Sequence, residues 1–333
     1  MAAFADFAAR AQLPVAAGFR RQDAFPNTHA CYAGVLGTVP HAALFRQVRE
    51  ADVILAVGTR LGEMLTQGYT LITPPKPAQK LIHVYPDSSE LNKVYKSTLA
   101  IHSGVADFAQ AVKDVQVDGI AWAERTRQMR ADFIQWTQTG KRDTFKMDAH
   151  GVMQDMLSVL PDDAIITTGA GNYTGWAQRF ISYDRPRRLL APTSGAMGYA
   201  VPAAVAASLV FPDRAVIAFT GDGDFMMTGQ ELATAMHEGA HPIFLVFNNG
   251  MYGTIRMHQE KHYPGRVSAT SLTNPDFAAL AKSHGAEGYT VANTNEFLPV
   301  FKKALADKKP AIIELQMDPE QITTEKKLSE IGK

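Results

Sequence analysis

Two polar clusters, each set at the end of an apolar run, constrain this chain more than anything else in it. Ala215–Thr220 (AVIAFT) leads into Gly221-Asp222-Gly223, and His241–Phe247 (HPIFLVF) leads into Asn248-Asn249 after 24 intervening residues. The stretch between them, Thr228–Glu238, reads as a helix. Strand, turn, helix and strand in that order make a βαβ unit, with parallel strands and a right-handed crossover. Both clusters then emerge at the carboxyl ends of neighbouring strands, where open α/β sheets bind ligands. One carboxylate (Asp222), one amide oxygen (Asn249) and a nearby carbonyl are too few to cage a bare cation. They suit Mg²⁺, which completes its octahedron with water and substrate phosphates. Gly221 and Gly223 allow the close backbone approach that such a ligand needs.

Each piece has a plainer reading when taken alone. Gly-Asp-Gly is commonly a turn with a solvated carboxylate, and Asn-Asn-Gly a hairpin. A calcium loop beginning at Asp222 fails, because its twelfth position is Ala233 and not a bidentate glutamate. Thr228 and Glu231 read as a capping box opening the helix. A second glycine cluster, Gly169-Ala170-Gly171-Asn172-Tyr173-Thr174-Gly175, follows the strand-like Ala164–Thr168 and imitates a loosened dinucleotide fingerprint. The fingerprint needs a tighter third glycine and an acidic residue about 20 positions on. The next strand-like run, Arg188–Thr193, ends without one. A nicotinamide-dinucleotide oxidoreductase therefore stands as the alternative reading.

Composition bounds the remainder. With 333 residues, 46% apolar and 20% charged, at formal net charge zero, the chain is long enough for two domains. It has no basic excess to recruit nucleic acid or an anionic membrane surface. Its apolar runs are too short and too interrupted to span a bilayer, the start lacks a secretory pattern, and Cys31 is the sole cysteine. These features point to a cytoplasmic protein without membrane or nucleic-acid partners. The expected fold is α/β, with two doubly wound parallel-sheet domains. Residues 1–115 carry a helix-like Ala2–Ala11 and strand-like Val53–Val57 and Lys80–Val84. Residues 116–147 read as a helical connector, with Trp122, Met129, Phe133 and Trp136 forming an apolar stripe that packs against both domains. Residues 148–333 form the second domain, opening at an Asp148 N-cap for a helix over His150–Leu160 and ending in a loose tail over Ser329–Lys333.

The spacing of the two clusters resembles the signature of thiamine-diphosphate-dependent enzymes, and the likeness extends upstream. Thr193-Ser194-Gly195-Ala196-Met197-Gly198-Tyr199 is similar to the segment that holds the cofactor bent in acetolactate-synthase-like members. There Met197 would wedge between the cofactor's rings and the Gly195 carbonyl would accept from its amino group. Gly169, Ala170, Gly171, Asn172 and Tyr173 sit where relatives contact the diphosphate. Asn249-Gly250-Met251-Tyr252-Gly253 completes the metal pattern, so that Asp222, Asn249 and the Met251 carbonyl are the implied Mg²⁺ ligands. Gly221, Gly223, Tyr252 and Gly253 complete the implied cofactor contacts. Tyr252–Arg266 matches the segment that closes over the site, where His258, Gln259 and His262 receive no assigned role.

The resemblance implies a decarboxylase or carboligase acting on a small 2-oxo acid, with thiamine diphosphate as electron sink. It also implies a homodimer or tetramer, or a second chain supplying the pyrimidine-binding domain. In the family that domain carries an activating glutamate, to which nothing in this sequence corresponds, so no catalytic residue is assigned. The expectation is a fragment: the central domain begins at its first helix without a first strand, and the chain alone turns over weakly or not at all. A non-catalytic cofactor-binding remnant is the further alternative. The family's central domain is a six-stranded doubly wound sheet in which some members bind FAD or an ADP group. Gly58, Arg60 and Asp87 are the candidate contacts here, although Gly58 reads more simply as a turn residue and Asp87 as a cap or turn residue.

Overall fold

The computed structural model describes residues 2–39, 41–118, 120–138 and 145–332. The chain divides into two compact units, Met1–Gln138 with Ser182–Pro186, and Thr139–Ile181 with Arg187–Lys333. Every pairing between strands is parallel, so the fold is α/β with parallel sheets.

The first unit contains β1 (Val15–Ala17), β2 (Tyr32–Val35), β3 (Val53–Val57), β4 (Lys80–Tyr85) and β5 (Leu99–His102). β1 pairs with β2, and β3, β4 and β5 lie side by side in that order. Where the resemblance implies one six-stranded sheet, the described strands thus form a two-stranded and a three-stranded one. β1, β2 and β5 are absent from the sequence reading because runs of three or four residues are too short to show a period-two pattern. The connector's helix, Ala123–Thr137, belongs to this unit. It buries Met129 and Phe133, with the Phe133 ring edge-on to Tyr32 and Trp136 stacked on His41. Residues 119 and 139–144 of the expected connector lie outside the described residues.

The second unit contains β6 (Ile165–Thr168), β7 (Leu189–Leu190), β8 (Val216–Gly221), β9 (Ile243–Asn248), β10 (Glu287–Val291) and β11 (Ala311–Gln316), in spatial order β10-β11-β9-β8-β6-β7. β6 and β8 are buried along their whole length, and β9 and β11 along all but the last residue. That is why β8 and β9 read as near-continuous apolar runs and not alternations. Val216, Ala218, Phe244 and Val246 pack on one face against Val201, Ala204 and Val205 of the helix Ala200–Val210. Phe219 and Phe247 stack on the other face, where Trp176 from the helix Thr174–Phe180 joins them. Asp148 caps the helix Ala149–Leu157 by accepting from the His150 amide at 2.9 Å.

Two local expectations are corrected. The segment after β8 is two helices, Asp222–Thr228 and Glu231–Glu238, and Thr228 does not cap the second. Its hydroxyl donates to the Gly198 carbonyl at 2.9 Å, a partner no local rule could supply. The expected tail is also tied down at its start. Leu328 is buried, and the Ser329 amide donates to Glu320 Oε2 at 3.0 Å.

Two stability measurements follow. Phe225 is fully buried, its ring edge-on to Phe244 and Phe277, and it anchors the helix that starts at Asp222. Phe225→Ala is expected to destabilise the protein by about 3–5 kcal/mol in denaturant titration. Glu296 closes a capping box with Asn293 on the helix Thr294–Asp307. The Asn293 side chain, followed by the Ala292 amide, holds its carboxyl below the usual range. A depressed folded pKa gives stability that is present above the ordinary value of about 4.3 and is lost as pH falls through the folded one. Glu296→Gln should therefore lower the unfolding temperature at pH 7 and leave it unchanged near pH 2.

Candidate functional site

The chain passes from β6 to β7 on one side, then crosses to place β8 on the other side of β6. That reversal opens a crevice at the carboxyl ends of β6 and β8, the position where open α/β sheets bind ligands. The loops after β6, β8 and β9 converge there on a cleft. Of the residues singled out from sequence, Ala170, Gly171, Asn172, Tyr173, Met197, Gly221, Asp222, Gly223, Asn249, Met251, Tyr252 and Gly253 line it. Gly169 is buried directly behind this wall, and Gly195 sits in a turn at φ +73 outside the lining set.

Asp222 opens its helix directly after β8 and is only 3% exposed. Its Oδ1 accepts from the Gly223 amide at 2.9 Å, and its Oδ2 accepts from the Gly250 amide at 2.9 Å and Asn274 Nδ2 at 2.8 Å. Burial pushes its carboxyl above the usual range, and these donors pull in the opposite direction. Asn249 Oδ1 accepts from the Met251 amide at 3.2 Å, which fixes the turn carrying both residues. Asn248 points elsewhere: its side chain joins Glu314 and Asn274 away from the cleft.

Asp224, which the motif did not single out, holds the cleft together. It accepts from the Gly198 amide, the Tyr173 hydroxyl and, at 3.3 Å, the Thr220 hydroxyl. One carboxylate thus joins the loop after β6, the end of β8 and the turn beside Met197. Burial raises its carboxyl too, opposed first by the Gly198 amide. The only sequence signal was a second acid two residues after Asp222, and its partners lie 26 and 51 residues upstream. Thr254 was missed as well. Its hydroxyl accepts from the Asn172 amide at 3.1 Å and donates to Asn172 Oδ1 at 3.0 Å, clasping the β6 loop to the helix Gly253–His262.

The remaining candidates have structural surroundings. Gln259 bonds Ser268 across a loop, and exposed His258 and His262 stack on one another outside the cleft. In the first unit, Gly58 turns at φ +66, where a Cβ would meet Val105 Cγ2 at 2.5 Å. Asp87 accepts from the Ser89 amide and hydroxyl in a turn, and Arg60 is exposed. Cys31 is buried.

A crevice at a strand-order reversal, with glycine-bearing loops and buried carboxylates in its wall, is the kind of site in which open α/β proteins hold phosphorylated cofactors. Comparison with known proteins gives the family. Residues 169–315 match the C-terminal TPP binding domain of thiamine pyrophosphate enzymes, and residues 1–112 match their central domain. The chain belongs to the thiamine pyrophosphate enzyme family, and this match displaces the dinucleotide reading. It is similar to a sulfoacetaldehyde acetyltransferase from Alcaligenes xylosoxydans xylosoxydans, at 30% identity over 90% of this chain and 54% of that protein. It is also similar to the acetolactate synthase large subunit of Corynebacterium glutamicum, at 29% over 92% of this chain and 51% of the relative. The large subunit of Escherichia coli acetolactate synthase isozyme 2 matches at 26% over 95% of this chain and 57% of its own length. The chain spans about half the length of these curated relatives. Among the described residues, no helix is long and apolar enough to cross a membrane.

Gly169 offers a test of the Asp224 clasp. A Cβ there would collide with Asp224 Oδ2 and stand 2.6 Å from the Tyr173 hydroxyl. Gly169→Ala is expected to destabilise the protein by about 1–3 kcal/mol, read by chemical denaturation.

Proposed function

We propose that the cleft holds thiamine diphosphate through a Mg²⁺ ion, and that the protein serves decarboxylation and carboligation of a small 2-oxo acid, as in acetolactate synthases. The observation that supports this most directly is the convergence of Asp222, Asn249 and Met251 on one cleft at the switch point. These supply three hard oxygen donors of different kinds, the set Mg²⁺ accepts when phosphates complete its shell. Among the described residues no three His, Cys, Asp or Glu side chains converge on a metal site. A cation in the cleft would therefore draw its other oxygens from water and the diphosphate. Burial raises the Asp222 carboxyl, and a cation beside it would favour the ionised form.

When bound, the cofactor supplies the electron sink for loss of CO₂ from a 2-oxo acid. The chain's own residues bind and orient it. Gly169, Ala170, Gly171, Asn172 and Tyr173 provide the diphosphate loop, with Gly221, Gly223, Tyr252 and Gly253 closing around it. Met197 and the Gly195 carbonyl would hold the ring end. Phe247, Trp176, Met317 and Ile322 give the cleft an apolar wall that limits water. The acyl acceptor, and a partner chain or second copy that completes the active site, belong to the same proposal.

Calorimetric titration of thiamine diphosphate, with and without Mg²⁺, tests the reading. Mg²⁺-dependent binding that weakens at least tenfold in Asp222→Asn and Asn249→Ala is expected. Binding indifferent to Mg²⁺ and to both substitutions would overturn it.

A further inference from the structure

Behind the cleft a chain of polar side chains crosses the carboxyl edge of the sheet. Thr290 Oγ1 on β10 donates to Glu314 Oε2 on β11 at 2.9 Å. Asn248 Nδ2 at the end of β9 donates to Glu314 Oε1 at 2.6 Å. Asn274 Nδ2, from the loop before the helix Phe277–Ser283, donates to Asn248 Oδ1 at 2.9 Å and to Asp222 Oδ2 at 2.8 Å. Asn248, Asn274 and Glu314 are not among the residues lining the cleft. Glu314 is 5% exposed, at a position where an apolar residue would be the ordinary occupant.

The direction of these bonds is fixed at the Glu314 end. A carboxylate only accepts, so it takes the NH₂ of Asn248 and leaves the Asn248 oxygen facing Asn274. The Asn274 NH₂ must then point at Asn248 and Asp222, using both of its hydrogens. Asp222 Oδ2, receiving Asn274 and the Gly250 amide, is held inward with its acceptor capacity filled. Oδ1 receives the Gly223 amide at 2.9 Å and is not the oxygen that Asn274 and Gly250 hold.

We infer that Asn274 is a positioning residue for the metal carboxylate, and that Asn248 and Glu314 set its polarity, so that Asp222 presents Oδ1 to the cation. The inference rests on the magnesium-cofactor reading. Groups that hydrogen-bond a metal ligand in this way typically change metal affinity by 10–100-fold when removed. Mg²⁺ needs near-ideal octahedral geometry, whereas Ca²⁺ tolerates a looser set, so a misaligned Asp222 should penalise Mg²⁺ more.

The test is a titration of Mg²⁺, and separately Ca²⁺, into the full chain saturated with thiamine diphosphate, beside thermal unfolding of the metal-free protein. Asn274→Asp keeps the volume and replaces the donating NH₂ by a second, negatively charged oxygen. It is expected to weaken Mg²⁺ binding 10–100-fold and to lower the Mg²⁺-to-Ca²⁺ affinity ratio. Glu314→Gln frees the Asn248 amide to turn, should give a smaller shift of the same sign, and carries the test if Asn274→Asp does not fold. Wild-type binding with unchanged Mg²⁺ affinity in the folded variant would overturn the inference alone. So would equal losses for both ions accompanied by a lowered unfolding temperature, the signature of a merely structural role. A wild-type chain that shows no metal dependence would overturn the cofactor reading, and this inference with it.

Discussion

Parallel pairing of β8 with β6 on one side and β9 on the other is the constraint on which the site depends. Parallel neighbours end on the same edge, about 4.8 Å apart, so the loops that follow them start side by side. Because the chain leaves β7 and crosses to the far side of β6, the loops after β6 and β8 diverge to opposite faces and leave a crevice between them. Asp222, in the first turn after β8, and Asn249, just beyond β9, meet there without either loop reaching far.

Strand pairing brings the loops together, and buried carboxylates keep them there. Asp222 and Asp224 are both nearly inaccessible, and burial of charge is costly unless donors compensate it. The compensation comes from the loops themselves: Gly250 and Asn274 for Asp222, Gly198 and Tyr173 for Asp224. Each acid therefore stabilises the segments that satisfy it, and losing one donor exposes the cost for all. Phe225, one residue on, roots the same helix in the apolar core, so the polar clasp and the hydrophobic anchor share a single turn of chain.

Legibility in the sequence followed element length and the distance of partners along the chain. β8 and β9 were readable because burial on both faces demands nearly unbroken apolar runs, and few other structures do. β1, β2 and β5, at three or four residues, carried no such signal. Asp148 was recognised as a cap because its partner, His150, lies two residues away. Thr228 satisfied the same kind of local rule with Glu231, yet its hydroxyl went to Gly198, 30 residues upstream, once the turn beside Met197 folded against it. Asn274 and Glu314 bore no signal, since their meaning comes from groups brought together across four strands and a loop.

The sequence by itself determined the βαβ unit, its parallel hand, the carboxyl edge at which Asp222 and Asn249 emerge, and the hard-oxygen character of that edge. Those follow from periodicity, crossover handedness and side-chain chemistry, all of which act over short stretches of chain. Only the tertiary structure decided that Asp224 would clasp three segments, that Asn248 would turn away while Asn249 turns in, and which oxygen of Asp222 is held inward. Most of the hydrogen bonds behind these choices join residues 26 to 66 positions apart. No local pattern encodes them, because a buried donor or acceptor selects its partner only after packing has excluded water from both.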